Sequence, residues 1–215
     1  MSAKPAKAWQ VVDKQTKVVL VTAFEPFGDS DVNASETVLR QLKQTLDHLR
    51  TGILPVRKSS VHKTLAGLIE QHNPDVLIML GEAGPKEEIR LELVALNHDD
   101  FRMPDNDGLT VEACRIVDSG PDAYFSNIDV HSVAGTLPTG DSYAPSTISL
   151  SAGSFLCNHT YFLARHFHGN LPAVFVHIPC LRDETHTPSA FERVSNTVNC
   201  IVREITATLA TSTTD

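Results

Sequence analysis

One of the four cysteines stands where a nucleophile would be useful. In SAGSFLCNHTYF (residues 151–162), Gly153 breaks the chain and Ser154 can cap a helix, so Cys157 falls at about the third helical position. Backbone N–H groups there lack intrahelical acceptors, and the helix dipole favours negative charge. Both effects stabilise a thiolate. The competing role is a small buried hydrophobe, the usual fate of a free cysteine, and position alone favours it.

A cysteine nucleophile needs a base within hydrogen-bond reach. His177 closes the apolar run AVFVHIP, and a strand end delivers a side chain to the edge of a site. Otherwise it is a core histidine bonded to backbone. His159, two residues beyond Cys157 on a helix, points away from the thiol. A carboxylate would orient the imidazole, and Glu82, Glu92, Asp99, Asp100 and Asp105 all qualify. Glu92 is notable inside apolar LELVAL, where a charge is expected to be paired or functional. The residues alone do not choose among these acids. Backbone amides near Cys157 can stabilise an oxyanion, and Arg102, in a turn-rich segment, is the natural side-chain donor if it is more than a surface arginine. Metal sites read poorly: there is no CxxC or HExxH, and Cys157/His159 and His166/His168 occupy non-adjacent helix positions. No cofactor is expected.

Placing these residues together requires a scaffold. VVLVTAF, GILPV, DVLIMLG and AVFVHIP are short and wholly apolar, as strands buried on both faces are. Between them, Val38, Leu39, Leu42, Leu46 and Leu49 form one helical stripe, capped by Asn33 or Ser35. Val61, Leu65, Leu68 and Ile69 form a second, ending before Asn73-Pro74. LELVALN and STISLSAG read as further strands, 98–108 as turns, and 127–137 as a helix. A last helix starts at Thr187-Pro188. The alternation specifies an α/β class fold, a three-layer α/β/α sandwich with a mostly parallel twisted sheet covered by helices on both faces. Ligands of such sheets sit beyond the carboxyl ends of the strands.

The 215 residues suffice for one domain with a sizeable core. The expected organisation is a polar extension (1–15), a single catalytic domain (16–208) and a polar tail (209–215). A net charge of −8 argues against nucleic-acid and anionic-membrane partners. No apolar run reaches membrane-span length and the N-terminus lacks a signal-type stretch, so the expected location is cytoplasmic. Widely spaced cysteines fit reduced thiols.

Taken together, VTAFEPFG, LGEAG, VALNHDDFRMPDN, GPDAYFS, SAGSFLCNHTYF and FVHIP resemble, in order and spacing, the pyroglutamyl peptidase I (pyrrolidone-carboxylate peptidase) family. The likeness runs from about Lys17 to Pro179. It implies a cytosolic cysteine omega-peptidase that removes N-terminal pyroglutamate from peptides through a Cys-His-Glu triad and a thioester. The triad maps to Cys157, His177 and Glu92, with Arg102 at the oxyanion site. The family's substrate pocket maps to Phe24, Phe27, Asn33, Met103, Phe155 and Leu156, with Glu82 beside the lactam site. A homo-tetramer is also implied.

Where bacterial members commonly read GQAGGR, this chain has GEAGPK, which puts Glu82 in place of a glutamine and adds Pro85. Around Glu92 the neighbours differ, and Cys180 follows Ile178-Pro179. These departures leave two rivals: a cysteine hydrolase of the same scaffold with shifted substrate preference, and a non-catalytic binding protein on that scaffold.

Overall fold

A computed structural model describes residues 17–46, 49–84, 88–181 and 188–211. The first half runs β1 (Val19–Phe24), α1 (Ala34–Thr45), β2 (Leu49–Leu54), α2 (Val61–His72), β3 (Val76–Ala83), β4 (Ile89–Glu92), β5 (Val94–Leu96) and β6 (Asp99–Phe101). The second half runs β7 (Val111–Cys114), β8 (Ala123–Phe125), α3 (Val130–Thr136), β9 (Ser146–Ser149), α4 (Leu156–Phe167), β10 (Ala173–Pro179) and α5 (Pro188–Thr211).

Six strands form one sheet in the order β2-β1-β3-β10-β4-β9, parallel throughout except where β4 meets β10. Strand alternation divides the core. Val19, Val21, Ile78, Leu80, Val174 and Val176 face α1, α3 and α5, while Leu20, Leu77, Met79 and Phe175 face α2 and α4. Burial on both faces is why these strands read as continuous apolar runs. The result is the three-layer α/β/α sandwich.

Departures from the expected elements have local causes. LELVALN is not one strand: Glu92 ends β4 in the main sheet, and Val94 opens β5, which pairs with β8. Leu93 is the pivot, its N–H going to the Ser149 carbonyl and its carbonyl receiving the Ser126 N–H. The turn-like 98–108 segment contains β6, paired with β7 in a second small ribbon. Asn33 caps α1, its Oδ1 accepting the Ser35 N–H. Ser154 does not cap α4. Its hydroxyl donates to the Asp100 carbonyl, the N-cap is Phe155, and Cys157 is therefore the second helical residue. α5 continues to Thr211, beyond Thr208, because Leu209 still packs on the core. The 1–15 extension and Pro85 lie outside the described residues.

Candidate active site

Three elements converge at one end of the sheet. β10 carries His177 directly opposite Gly81 of β3. Its other neighbour, β4, is antiparallel and places Glu92 opposite Phe175, one diagonal step from His177 on the same face. α4 lies over that face and brings Cys157 down onto Gly81: a Cβ there would sit 2.9 Å from the Cys157 Sγ and 2.6 Å from the Phe175 ring. Glycine at 81 is what lets helix and strand approach. The Tyr161 hydroxyl donates to the Glu92 carbonyl (3.3 Å) and anchors α4 against β4.

Glu92 is wholly buried, and its Oε1 lies 2.8 Å from His177 Nδ1. With the carboxylate ionised, Nδ1 carries the proton and Nε2 is left as the acceptor. Arg90 Nε stands 3.9 Å from the same oxygen. Burial holds the His177 imidazole below its ordinary pKa, and Glu92 only partly offsets this. Burial also pushes the Cys157 thiol up to about 12. The Glu92 and Glu82 carboxylates add to that rise, while Arg90 and the backbone N–H of Cys157 oppose it. Both shifts favour neutral forms at rest, a thiol at Cys157 and an imidazole at His177.

A small, largely apolar cleft opens at Cys157. Phe24, Phe27 and Asn33 line it from the end of β1 and the chain leading into α1, Val56 from the chain after β2, Glu82 from β3, and Phe155, Leu156 and Cys157 from the start of α4. The Phe27 and Phe155 rings lie 6.2 Å apart between centroids. Glu82 is buried at the N-terminus of α1, where Oε2 accepts the Ala34 N–H at 2.6 Å, a favourable place for a carboxylate. Asn33 is braced by the backbone: Oδ1 takes the Ser35 N–H, and Nδ2 donates to the Glu25 carbonyl at 3.0 Å.

The family model for pyroglutamyl peptidase matches residues 17–215. The chain belongs to the pyroglutamyl peptidase family. It is 36% identical over 173 residues to a pyrrolidone-carboxylate peptidase of Coprothermobacter proteolyticus, covering 77% of this chain and 83% of that one. It is 38% identical over 180 residues to one of Chromobacterium violaceum, covering 81% and 84%. Among solved structures, the pyrrolidone carboxyl peptidase of Pyrococcus furiosus superposes with a TM-score of 0.79 at 28% identity, covering 89% of this chain and 99% of that chain. The pyroglutamyl peptidase I of Bacillus amyloliquefaciens gives 0.76 at 27%, covering 90% and 95%.

Within this pyroglutamyl peptidase fold, the remaining candidates separate. Asp99 bonds His159 Nδ1 (2.8 Å) and Lys58 Nζ (2.9 Å), a buried pair remote from the Glu92–His177 couple in bonding terms. Asp105 accepts the N–H groups of Lys58, Asp107 and Leu109 and shapes a turn. Asp100 serves through its backbone, in contacts with Ser154. Arg102 and Met103 are exposed and not among the cleft walls, although the Met103 methyl comes within 3.4 Å of where a Gly28 Cβ would sit. Cys180 is half-buried, its N–H on the Ala83 carbonyl. Two residues were not foreseen. Val56 lines the cleft, and its position after Pro55 in a strand-like run gave no signal. Arg90 shares a sheet face with Glu92, which the alternation R-L-E in residues 90–92 encodes.

Proposed function

We propose that this protein is a cysteine omega-peptidase that removes an N-terminal pyroglutamyl residue from peptides. The observation that carries the reading is the buried Glu92–His177 bond of 2.8 Å, on the sheet face that α4 covers with Cys157 at the cleft. The uncharged lactam ring enters between Phe27 and Phe155, a slot that selects it over an open-chain, charged glutamyl group. His177 takes the Cys157 proton as sulfur attacks the pyroglutamyl carbonyl carbon. The oxyanion forms near the N–H groups of the first turn of α4, which lack intrahelical acceptors. Arg102 joins them on this reading by turning in from its exposed position. The imidazolium, stabilised by Glu92, protonates the leaving amine and a thioester remains. Water then loses a proton to His177 and attacks the thioester; the tetrahedral adduct collapses to pyroglutamate and the thiol.

No metal or organic cofactor enters this scheme. Cytoplasmic location and homo-tetrameric assembly belong to the same proposal; among the described residues no helix is long and apolar enough to cross a membrane.

A second reading, a shifted substrate preference, is favoured by Glu82, whose carboxylate shares the cleft wall with Cys157. Both are tested by release of aminomethylcoumarin from pyroglutamyl, prolyl and glutamyl amides. Preference for the pyroglutamyl amide, abolished in Cys157→Ala, is the expected outcome. Turnover without that preference would transfer the case to the second reading. Full hydrolysis by Cys157→Ala would overturn the mechanism in both, and no turnover at all would leave the scaffold as a binding protein.

A further inference from the structure

The aromatic side of the slot is fixed by a polar knot that touches no reacting atom. Glu25 sits in F-E-P-F, between Phe24 and Phe27, and is not itself a cleft wall. Its Oε1 accepts the Val56 N–H at 3.1 Å, an Asn106 Nδ2–H at 2.8 Å, and a further hydrogen bond from the Arg57 guanidinium. Asn106 spends its second amide hydrogen on the Pro26 carbonyl at 2.9 Å, and its backbone N–H reaches the Val56 carbonyl at 2.8 Å. Arg57 is also tied to Asp107 at 3.0 Å. Three segments distant in sequence, 24–28, 56–58 and 105–109, therefore meet on one carboxylate oxygen. The first two supply Phe24, Phe27 and Val56 to the slot.

A flat ring held between two aromatic walls is sensitive to their separation. The opposite wall, Phe155, is fixed by the start of α4 and by Phe101, whose ring meets it edge-on at 4.8 Å. Phe27 is instead carried by the loop that leaves β1 at Phe24, and its backbone geometry depends on what that loop is pinned to.

We propose that Glu25 is a positioning residue for the slot: its carboxylate, clamped by Val56, Arg57 and Asn106, sets the distance between the Phe27 wall and the Phe155 wall and thereby the affinity for a five-membered lactam. The clamp rests on the pyroglutamyl reading of the slot. It predicts a binding defect without a chemical one, because Glu25 contacts neither the Glu92–His177 pair nor Cys157.

The test is steady-state kinetics on a pyroglutamyl coumarin amide, together with protection of Cys157 from iodoacetamide by 2-pyrrolidone, read by peptide mass mapping. Glu25→Ala is expected to raise KM about tenfold with kcat within about threefold of the parent, and to weaken 2-pyrrolidone protection in parallel. Glu25→Gln keeps an acceptor oxygen for Val56 and Asn106 and should restore most of the affinity. Asn106 is exposed, so Asn106→Ala carries the test even if Glu25→Ala folds poorly. It should shift KM in the same direction, and the double variant should show less than the sum of the two effects. Unchanged KM in Glu25→Ala and Asn106→Ala, additivity, or a fall in kcat at constant KM would overturn the clamp, as would a Glu25→Gln variant no better than Glu25→Ala. Parent protein that is protected by 2-pyrrolidone but does not turn over the amide would defeat the peptidase reading and leave the clamp to be judged on protection. Parent protein that shows neither would defeat both.

Discussion

Burial disfavours the charged forms of both Cys157 and His177, and the chemistry proposed for them follows from that. In the proposed mechanism the base is the unprotonated imidazole. Because burial lowers its pKa, that form persists as pH falls below 6.5 and is lost only on passing the depressed value. The acid limb of kcat/KM should therefore have its midpoint below 6.5; a midpoint at or above 6.5 in a pH–rate profile would contradict the assignment. Glu92→Gln preserves the volume but removes the charge that stabilises the imidazolium, and should cut kcat by roughly 10²–10⁴-fold with KM little changed. His159 provides the control, since it has an equally short carboxylate contact at Asp99. His159→Gln should leave kcat within a few-fold and cost about 1–3 kcal/mol of stability, because Asp99 keeps Lys58. Chemical denaturation alongside kinetics separates the two pairs. Helix position and a strand end singled out Cys157 and His177 as candidates, although position alone favoured a buried hydrophobe for the thiol. The acid stayed open, because a carboxylate's partner is set by sheet register: Glu92 and Asp99 each meet a histidine, and only the antiparallel β4–β10 pairing puts Glu92 against His177.

At the level of elements, the CNH run shows how one helix start serves three purposes. Cys157 faces the cleft. Asn158 is fully buried; its Oδ1 accepts the Leu96 N–H, and its Nδ2 donates to the Leu96 and His98 carbonyls, all at 2.8–2.9 Å. His159 joins Asp99. The asparagine thus sews α4 to β5 and the segment that follows it, so the helix that carries Cys157 is fixed to the connection leaving Glu92. The short ribbons β6–β7 and β5–β8 escaped the periodicity because DDF, VEAC and AYF are too brief for an alternation to register, and their pairing is non-local. Gly81 is the other element-scale constraint. Gly81→Ala puts a methyl into contact with Phe175 and the Cys157 sulfur, at 2.6 and 2.9 Å, and neither a packed ring nor a helix start yields freely. The expected result is about 1–3 kcal/mol of destabilisation and, from displacement of the thiol, a loss of roughly 10²-fold in kcat/KM. Thermal melting and pyroglutamyl amide hydrolysis check both, and full activity at parental stability would show that α4 can slide without consequence.

Over the whole molecule, the sandwich was readable because a doubly covered parallel sheet imposes unbroken apolar strands, and because α1, α2 and α5 each present a stripe that needs such a sheet. What composition could not show is how titratable groups are distributed between the layers. His177, and the half-buried His62 and His168, are all held below the ordinary imidazole value, burial being the first cause in each case. In the unfolded chain these histidines bind protons near 6.5, so below that pH the unfolded state holds more protons than the native one. Since ∂ΔG/∂pH of unfolding follows the difference in bound protons, unfolded minus native, stability falls as pH drops through this window. On the alkaline side the sign reverses. Burial raises Cys157 and Tyr161 each to about 12, and also raises Cys200. From about pH 9 upward the unfolded chain releases protons that the native state retains, and stability falls again as pH rises. The expected melting profile is a plateau bounded near pH 6.5 and pH 9. Cys157→Ala should flatten the alkaline flank, since it removes the thiol most strongly raised, and leave the acid flank to the histidines. A melting temperature that kept rising from pH 9 to 11, or an alkaline flank as steep in Cys157→Ala as in the parent, would show that the thiol is hydrated in the native state, and the neutral resting pair would have to be replaced by a thiolate–imidazolium one.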